Sequence, residues 1–389
     1  MKVYDSIVVG AGIEGSSTAY NLVKNGQRTL LLEQFPLPHS RGSSHGQSRV
    51  TRMAYGDADY YTEMMKEAYR LWEKLENESG TTIYTKTGLL LVGKAGDELI
   101  DGTVQALRKH SVPFTTLDGK ALRLKYPMLA YSDDVSGVDD HSGGVLFADK
   151  ALAAFQVMDY SFQREFIKHG GVLRDNESLV DVFPGDIVTV KTNKGSYRGR
   201  NLVLAVGPWA TKVLPPLGIH LPLKVLRISV FYWKEKIAGT YGADKFPTFL
   251  GGNARGSFDV YGMPSLEYPG LYKLCLHSGP EIDPDRRDDA DSTWVLDKMK
   301  KFVAEHFPLL EPHPVITETC IYTNTPDHDF VLDRHPAWRN IIIGAGFSGH
   351  GFKLSPVVGK VLAELVMRKT PSYNMSHFRI DRFNKSSKL

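Results

Sequence analysis

Apolar and polar positions along the chain switch between two periods, and the switches mark its elements. Residues 6–9 form a short apolar run behind Asp5 and ahead of a glycine, which predicts a buried parallel strand. After Gly15, the apolar positions Ala19, Leu22 and Val23 recur at helical spacing until Asn25-Gly26 stops the helix. Residues 28–33 (RTLLLE) predict a second buried strand. A strand–helix–strand unit therefore opens the chain within about 30 residues. Residues 60–76 predict a helix with Met64, Ala68, Leu71, Trp72 and Leu75 on one face. Residues 84–92 alternate and then turn wholly apolar, as expected of a strand entering a different sheet. A helix is predicted over 151–169, and strands over 171–175, 179–183, 187–191 and 201–207. Residues 225–233 and 271–277 read as strands of a sheet wet on one face. Residues 294–306 predict a helix, and 340–346 a third strand running into glycine.

Strand-to-glycine turns thus fall near 10, 207 and 346, and the β-rich stretches between them predict a second domain assembled from discontinuous pieces. A length of 389 residues suits about two domains. Hydrophobic residues at 42% and charged residues at 23% are the balance of an ordinary globular protein. A formal net charge of +3, without a long Lys/Arg run, gives no argument for nucleic acid. Cys275 and Cys320 are too few for a disulfide framework and lack metal spacings, so a reducing or peroxisome-like compartment is expected. No apolar run approaches the roughly 18 residues of a membrane span. The first residues enter a strand directly and leave no room for a signal peptide. Ser387-Lys388-Leu389 reads as the peroxisomal address, which makes the peroxisomal import receptor an expected partner.

Gly10-x-Gly12-x-x-Gly15 is a weak signal alone but a strong one between this strand and this helix. Gly10 permits the tight turn, Gly12 lets backbone approach a pyrophosphate, and Gly15 lets the helix pack on the strand. The helix start then offers free N–H groups to phosphate. Glu33, ending the second strand, can accept from ribose hydroxyls and would repel a 2′-phosphate, which favours FAD or NAD over NADP. The polar, glycine-rich stretch 36–52 carries Arg41, His45, Arg49 and Arg52, and could wrap an isoalloxazine ring with cations beside it.

With these residues the chain resembles the monomeric sarcosine oxidase family of flavoprotein amine oxidases, nearly end to end. The resemblance is carried by Gly10 to Gly15, LLLEQFPLPHSRGSSHGQSRVTR at 30–52, YGMP from Tyr261, CIYTNTPD from Cys320 and GAGFSGHGFK ending at Lys353. It implies an α/β fold with an α+β second domain. A Rossmann-like FAD-binding domain would span 1–84, 145–223 and 325–389. A catalytic domain with a mixed, largely antiparallel sheet would span 85–144 and 224–324. It implies FAD attached covalently, as an 8α-S-cysteinyl flavin, at the position matching Cys320. Further FAD contacts are implied at Gly10, Gly12, Ile13, Glu14, Gly15, Glu33, Gln34, Ser43, Ser44, His45, Arg49, Val180, Gly207, Trp209, Gly346, Phe347, Gly349, His350, Gly351, Phe352 and Lys353.

The implied reaction oxidises a small secondary amino acid such as sarcosine, L-pipecolate or L-proline. A hydride equivalent leaves the carbon beside nitrogen for flavin N5, the imine hydrolyses, and O2 becomes hydrogen peroxide. Arg52 and Lys353 match a carboxylate-binding pair. Arg49 matches the cation beside the ring. Lys273, in the otherwise apolar run LYKLCLH, matches an oxygen-activating lysine, and a lysine is costly to bury without purpose. Strand alternation would put Lys273, Cys275 and His277 on one face. His277 matches an active-site histidine, and Tyr261 and Tyr322 match residues lining the substrate pocket, with Tyr61 or Tyr60 assisting. Met263 and residues 246–253 are expected to shape the pocket. No metal is expected, and a monomer is. Two alternatives stay open: a flavin dehydrogenase passing electrons to another acceptor, and a non-enzymatic FAD-binding redox protein.

Overall fold

The computed structural model describes residues 3–56, 58–156, 165–253 and 257–383. Ser387, Lys388 and Leu389 lie outside the described residues, as does the middle of the helix expected over 151–169. The described flanks of that helix are Ala148–Gln156 and Glu165–Lys168.

Among the described residues, two eight-stranded sheets and one three-stranded sheet organise the fold. The first is centred on Val3–Val9, which pairs in parallel with Thr29–Leu32 on one side and Ser196–Leu204 on the other. Val172–Arg174 extends it beyond Thr29–Leu32, and Ile341–Ala345 joins Ser196–Leu204, both in parallel. These strands are apolar through the middle of the sheet because both faces are covered. Val8, Leu31, Val203 and Ile342 pack into the core that contains helices Ile13–Lys24 and Ser355–Val366. Ile7, Val9, Leu30, Leu32, Leu202, Leu204, Ile341 and Ile343 point into a second core on the opposite face. The two helices cross closely at Gly359, where a Cβ would lie 2.2 Å from Ser17 Oγ.

The second sheet runs in the order Leu310–Asn324, Lys224–Glu235, Leu271–Leu276, Ser257–Met263, Thr248–Asn253, Leu89–Lys94, Val135–Asp140, Phe114–Asp118. Only the pairing of Thr248–Asn253 with Leu89–Lys94 is parallel, so the sheet is mixed and largely antiparallel, as expected. It is not wet on one face. Phe231, Tyr232 and Trp233 are buried in succession, as are Tyr272, Lys273 and Leu274. Helix Thr293–His306 and its flank cover one face with Phe302 and Phe307 against Trp233 and Tyr272. The other face gathers Ile228, Val230, Tyr232, Cys275 and Cys320 and turns toward the cleft described below.

The single strand expected over 84–92 is two strands in two sheets. Gly88, at φ +75°, breaks the run between Tyr84–Lys86 and Leu89–Lys94. Tyr84–Lys86 pairs with Gly144–Phe147, which also pairs with Ser48–Thr51, and these three make the small sheet. Ser48–Thr51 ends the stretch 36–52, so this sheet fixes the exit of the loop that reaches the site.

Candidate active site

A cavity of about 550 Å³ runs from the Gly10 turn to Lys353 between the two large sheets. At the turn, Gly10 adopts φ +98°, and a Cβ there would lie 2.3 Å from the Ala205 carbonyl oxygen. Only glycine satisfies both demands. The helix start is already oriented: Ile13 N–H donates to Ser44 Oγ at 2.9 Å. Glu33 accepts from Ala11 N–H at 2.9 Å through one carboxylate oxygen and from Phe35 N–H at 3.0 Å through the other. Gln34, Ser43, Val180, Gly207 and Trp209 line this end of the cavity. Gly15 and Gly346 sit behind it rather than on its wall. A Cβ on Gly15 would meet the Gly10 carbonyl oxygen at 1.9 Å, and one on Gly346 would meet Thr325 at 2.5 Å. Their small size lets backbone and neighbour approach.

Glu14 tests whether this end suits a dinucleotide. Its side chain is buried on the cavity wall, and neither carboxyl oxygen has a hydrogen-bond partner among the described residues. Burial pushes its pKa well above the usual carboxylate range. A carboxyl held toward its neutral form beside the cavity tolerates a ligand rich in phosphate groups, which an ionised one would repel. The glycine turn, the helix start behind it and this unsatisfied acid fit the ADP-bearing half of FAD.

The other end holds the reactive groups. Arg49 is clamped by three carbonyls, donating to Ser48 O at 2.7 Å, Ser43 O at 2.9 Å and His45 O at 2.6 Å. Its Nη2 lies 3.9 Å from Cys320 Sγ, and its guanidinium stands 5.2 Å from the Phe352 ring centre. His45 lies with one ring nitrogen 2.7 Å from Gly42 O and the other 2.7 Å from Thr319 O. Burial, helped by the Arg49 charge, nonetheless pushes its pKa down to about 4. Cys320 is buried on strand Leu310–Asn324, two residues before Tyr322 and so on the same face.

His277 and Tyr322 touch, Nδ1 to Oη, at 3.1 Å, and the His277 and Tyr261 rings are 5.9 Å apart. His277 opens onto the cavity, but the protein around it, with the charges of Arg52 and Lys353, pushes its pKa down to about 3. This shift favours the neutral ring, which can accept a hydrogen bond without carrying a charge. Gly349 permits this closeness, since a Cβ there would lie 2.7 Å from both His277 and Tyr322. Phe347, His350, Gly351 and Phe352 complete this wall. A ring nitrogen of His350 lies 3.0 Å from the His328 carbonyl oxygen, and burial holds the His350 pKa well below the usual histidine value.

Arg52 and Lys353 share one aromatic plate. Arg52 Cζ stands 4.7 Å from the Tyr55 ring centre and Lys353 Nζ 5.8 Å. Lys353 is buried, and burial together with Arg52 and Arg49 holds its pKa well below the usual lysine range. Lys273 is also buried, with Nζ donating to Ser48 Oγ at 3.1 Å and lying 3.5 Å from Glu267 Oε1. Cys275 packs with Tyr232 and Cys320, and burial pushes its thiol up to about 11, which suits a structural role. Met263 and Leu250 line the cavity, the latter from the stretch 246–253.

Tyr61 is not a wall residue. It is 2% exposed, its hydroxyl donates to Asp329 Oδ1 at 3.0 Å, and its ring packs on Phe330 and His350. Tyr60 makes the same bond to Asp329 at 2.5 Å. Both belong to a packing layer behind the cavity. The aromatic residue in contact with the two cations is Tyr55, which has no periodic signal in the sequence and is identified only by the fold. Glu267 and Glu318, grouped around Lys273 by Tyr232, are equally invisible to spacing.

The chain matches the family model described as FAD dependent oxidoreductase over residues 5–365. It is 49% identical to peroxisomal sarcosine oxidase of Homo sapiens, covering 98% of this chain and 96% of that protein. It is 34% identical to monomeric sarcosine oxidase of Bacillus sp. (strain NS-129), covering 97% of each. Among solved structures, L-proline dehydrogenase from P. horikoshii superposes with a TM-score of 0.83 at 22% identity, covering 98% of each chain, and supports the fold.

A pH prediction follows from the cation pair. An anion is held at Lys353 only while the amine is charged, and that charge is lost as pH rises through a pKa held down by burial and by Arg52 and Arg49. Affinity for a simple monocarboxylate such as acetate should therefore fall below the ordinary lysine value of about 10.4. Binding is read by perturbation of the flavin spectrum across pH, and Lys353→Arg should move the loss upward. Loss confined to pH values above that ordinary range would contradict the assignment.

Proposed function

The chain belongs to the FAD-dependent oxidoreductase family and, within it, to the sarcosine oxidases, and on that footing we propose an oxidase of small secondary amino acids whose FAD is tethered through Cys320. FAD-dependent oxidation of secondary amino acids is the activity of the family. The finer reading concerns sarcosine, L-pipecolate and L-proline as substrates, O2 as the final acceptor, and the roles of individual residues. Bound FAD supplies a two-electron acceptor for the hydride equivalent leaving the carbon beside nitrogen, and O2 is then reduced to hydrogen peroxide.

The observation that carries this reading is the pairing of two cations across Tyr55 at one end of a cavity whose other end is a dinucleotide turn. Arg52 offers a planar fork and Lys353 a point charge, which together match one carboxylate. Binding the acid group there turns the substrate nitrogen and its neighbouring carbon toward the ring side of the cavity. His277, held neutral, and Tyr322, bonded to it, form a polar edge for the amine, with Tyr261 closing the pocket. Arg49, locked by three carbonyls, presents fixed positive charge where the ring gains electrons. Lys273 supplies a second buried charge, suited to stabilising reduced oxygen. FAD contacts are assigned to the residues of the Gly10 turn, Glu33, Ser43, Ser44, His45 and the 346–353 loop.

Tethering through Cys320 is supported by its cavity-wall position and by the Arg49 cation beside the sulfur. Peroxisomal residence is supported by the names of the human and Mus musculus relatives, both peroxisomal sarcosine oxidase, and by the tripeptide Ser387-Lys388-Leu389 as a contact for the import receptor. The name of the Bacillus relative supports a monomer.

Three experiments test the reading. Anaerobic addition of sarcosine, L-pipecolate and L-proline should bleach the flavin, and under air each amine consumed should yield about one peroxide, the stoichiometry of a two-electron oxidase. Bleaching without peroxide would mean a dehydrogenase, and no bleaching a non-enzymatic protein. Cys320→Ser should fold yet release its yellow colour on acid precipitation, whereas wild-type flavin stays with the pellet. A fluorescent fusion carrying the chain's own tail should collect in peroxisomes and spread through the cytosol when Leu389 is replaced by Asp. An unchanged distribution would remove the tripeptide from the account.

A further inference from the structure

Beside the cavity, five groups form one hydrogen-bonded chain that anion binding does not use. Lys273 Nζ lies 3.5 Å from Glu267 Oε1. The other Glu267 oxygen accepts from the Tyr232 hydroxyl. That hydroxyl lies 3.4 Å from Glu318 Oε2, and Glu318 Oε1 accepts from the Tyr268 hydroxyl at 3.1 Å. The inner members are enclosed: the side chains of Lys273 and Glu267 are 6% and 5% exposed. The outer members, Glu318 and Tyr268, are partly exposed, and Glu318, like Lys273, also lines the cavity. The Tyr232 ring fixes the middle, standing 5.4 Å from Lys273 Nζ and edge-on to Tyr268 with centroids 4.8 Å apart.

We propose that Glu267 is a positioning residue for Lys273 and the inner end of a proton-return path running Glu267–Tyr232–Glu318 from that lysine toward solvent. The inference rests on reading Lys273 as the group that faces oxygen. A lysine ammonium has three donors. Ser48 and Glu267 engage two of them, and Lys273 is also on the cavity wall, so the third is directed there. The need for a path comes from proton balance. The hydride equivalent that leaves the substrate carbon gives O2 two electrons and one hydrogen, and one further proton completes H2O2. The nearest buried donor is Lys273: its N–H bond breaks and an O–H bond of peroxide forms. The proton is replaced from the outer end inward: the Glu318 carboxylate takes a proton from water and gives it to the Tyr232 oxygen as that hydroxyl hands its own proton to the Glu267 carboxylate, which then gives it to the Lys273 nitrogen lone pair. Each turnover thus returns every member to its starting state. A tyrosine hydroxyl both donates and accepts, which lets it pass a proton between two carboxyl groups without being ionised. This matters because burial and the two carboxylates push the Tyr232 pKa far upward.

The test uses the holoenzyme. Glu267→Gln preserves shape but exchanges one of the two acceptor oxygens, which take hydrogen bonds from Lys273 and Tyr232, for an N–H2 donor, and it cannot take up and release a proton. It should slow reoxidation by O2 by about a hundredfold or more, the range of a lost proton-transfer group, while flavin reduction by substrate changes by less than about twofold. Tyr232→Phe keeps the ring packing and should give the same split. Acetate added to Glu267→Ala should restore reoxidation in a concentration-dependent way. Thermal midpoints supply a readout independent of turnover: Glu267→Gln and Lys273→Met should combine non-additively, as expected for groups in contact. If Lys273→Met reoxidises at the wild-type rate, the oxygen-facing reading and the path both fail. If Lys273→Met is slow while Glu267→Gln and Tyr232→Phe reoxidise normally, or if the midpoints add, the path alone fails and the lysine assignment stands.

Discussion

Lys353 and Lys273 bring two ammonium groups into the interior, and Arg52 and Arg49 add two guanidinium groups beside the same cavity. Each buried ion loses several kcal/mol of hydration unless something answers it. The protein answers these charges unequally. Lys273 has Glu267 and Arg49 has three carbonyls, whereas Arg52 and Lys353 share the face of Tyr55, with the Asp140 charge acting on Arg52 and the His350 carbonyl 3.4 Å from Lys353 Nζ, and the Arg52 charge helps hold the Lys353 pKa down. An anion entering the cavity would answer the Arg52 charge and favour the charged form of Lys353. A net stability of about 5–15 kcal/mol leaves little room for several idle buried charges, and the carboxylate recognition proposed above would give these a use.

The stretch 36–52 makes this arrangement possible because it touches both halves of the site. Ser44 accepts from the helix start at Ile13, Ser43 and Arg49 approach Cys320, His45 reaches Thr319, and Ser48 holds Lys273. Its far side is tied down as well, through Arg287 to the Ser40 carbonyl and Arg41 to Asp288 at 3.0 Å. One irregular segment thus registers the dinucleotide turn of the first sheet against the reactive strands of the second. A glycine-rich, polar composition suits such a segment. Gly46, at φ +91°, lets the chain turn beside Arg49, and the hydroxyls replace the ladder bonds that a loop lacks.

The functional split between the sheets follows from their packing. Strands buried on both faces present only their ends, so the first sheet offers a turn and a helix start to phosphate. The second sheet has one face sealed by aromatic residues and the other toward the cavity, so alternate residues of its strands become site residues. Cys320 and Tyr322 share one strand face, and Lys273 and Cys275 share another beside them.

Much of this is legible in residue order. The opening strand–helix–strand unit, Glu33, the three glycine turns and the cationic loop are local features, and local sterics and periodicity specify them. Glycines at φ +98°, +53° and +66° stand at the three turns expected near 10, 207 and 346. What spacing does not supply is contact between segments far apart in the chain. Period alone does not reveal that 84–92 breaks at Gly88, or that the strands near 230 and 273 are dry on both faces, because the cover comes from distant elements. For the same reason Tyr61 falls behind the wall and Tyr55 on the cation pair, and Glu267, Glu318 and Tyr232 meet Lys273 only once separate strands and a turn are brought together. Residue order alone specifies a dinucleotide site and the chemical inventory beside it. Which charges are compensated and which await a ligand is settled by the fold, because burial and distance exist only after folding.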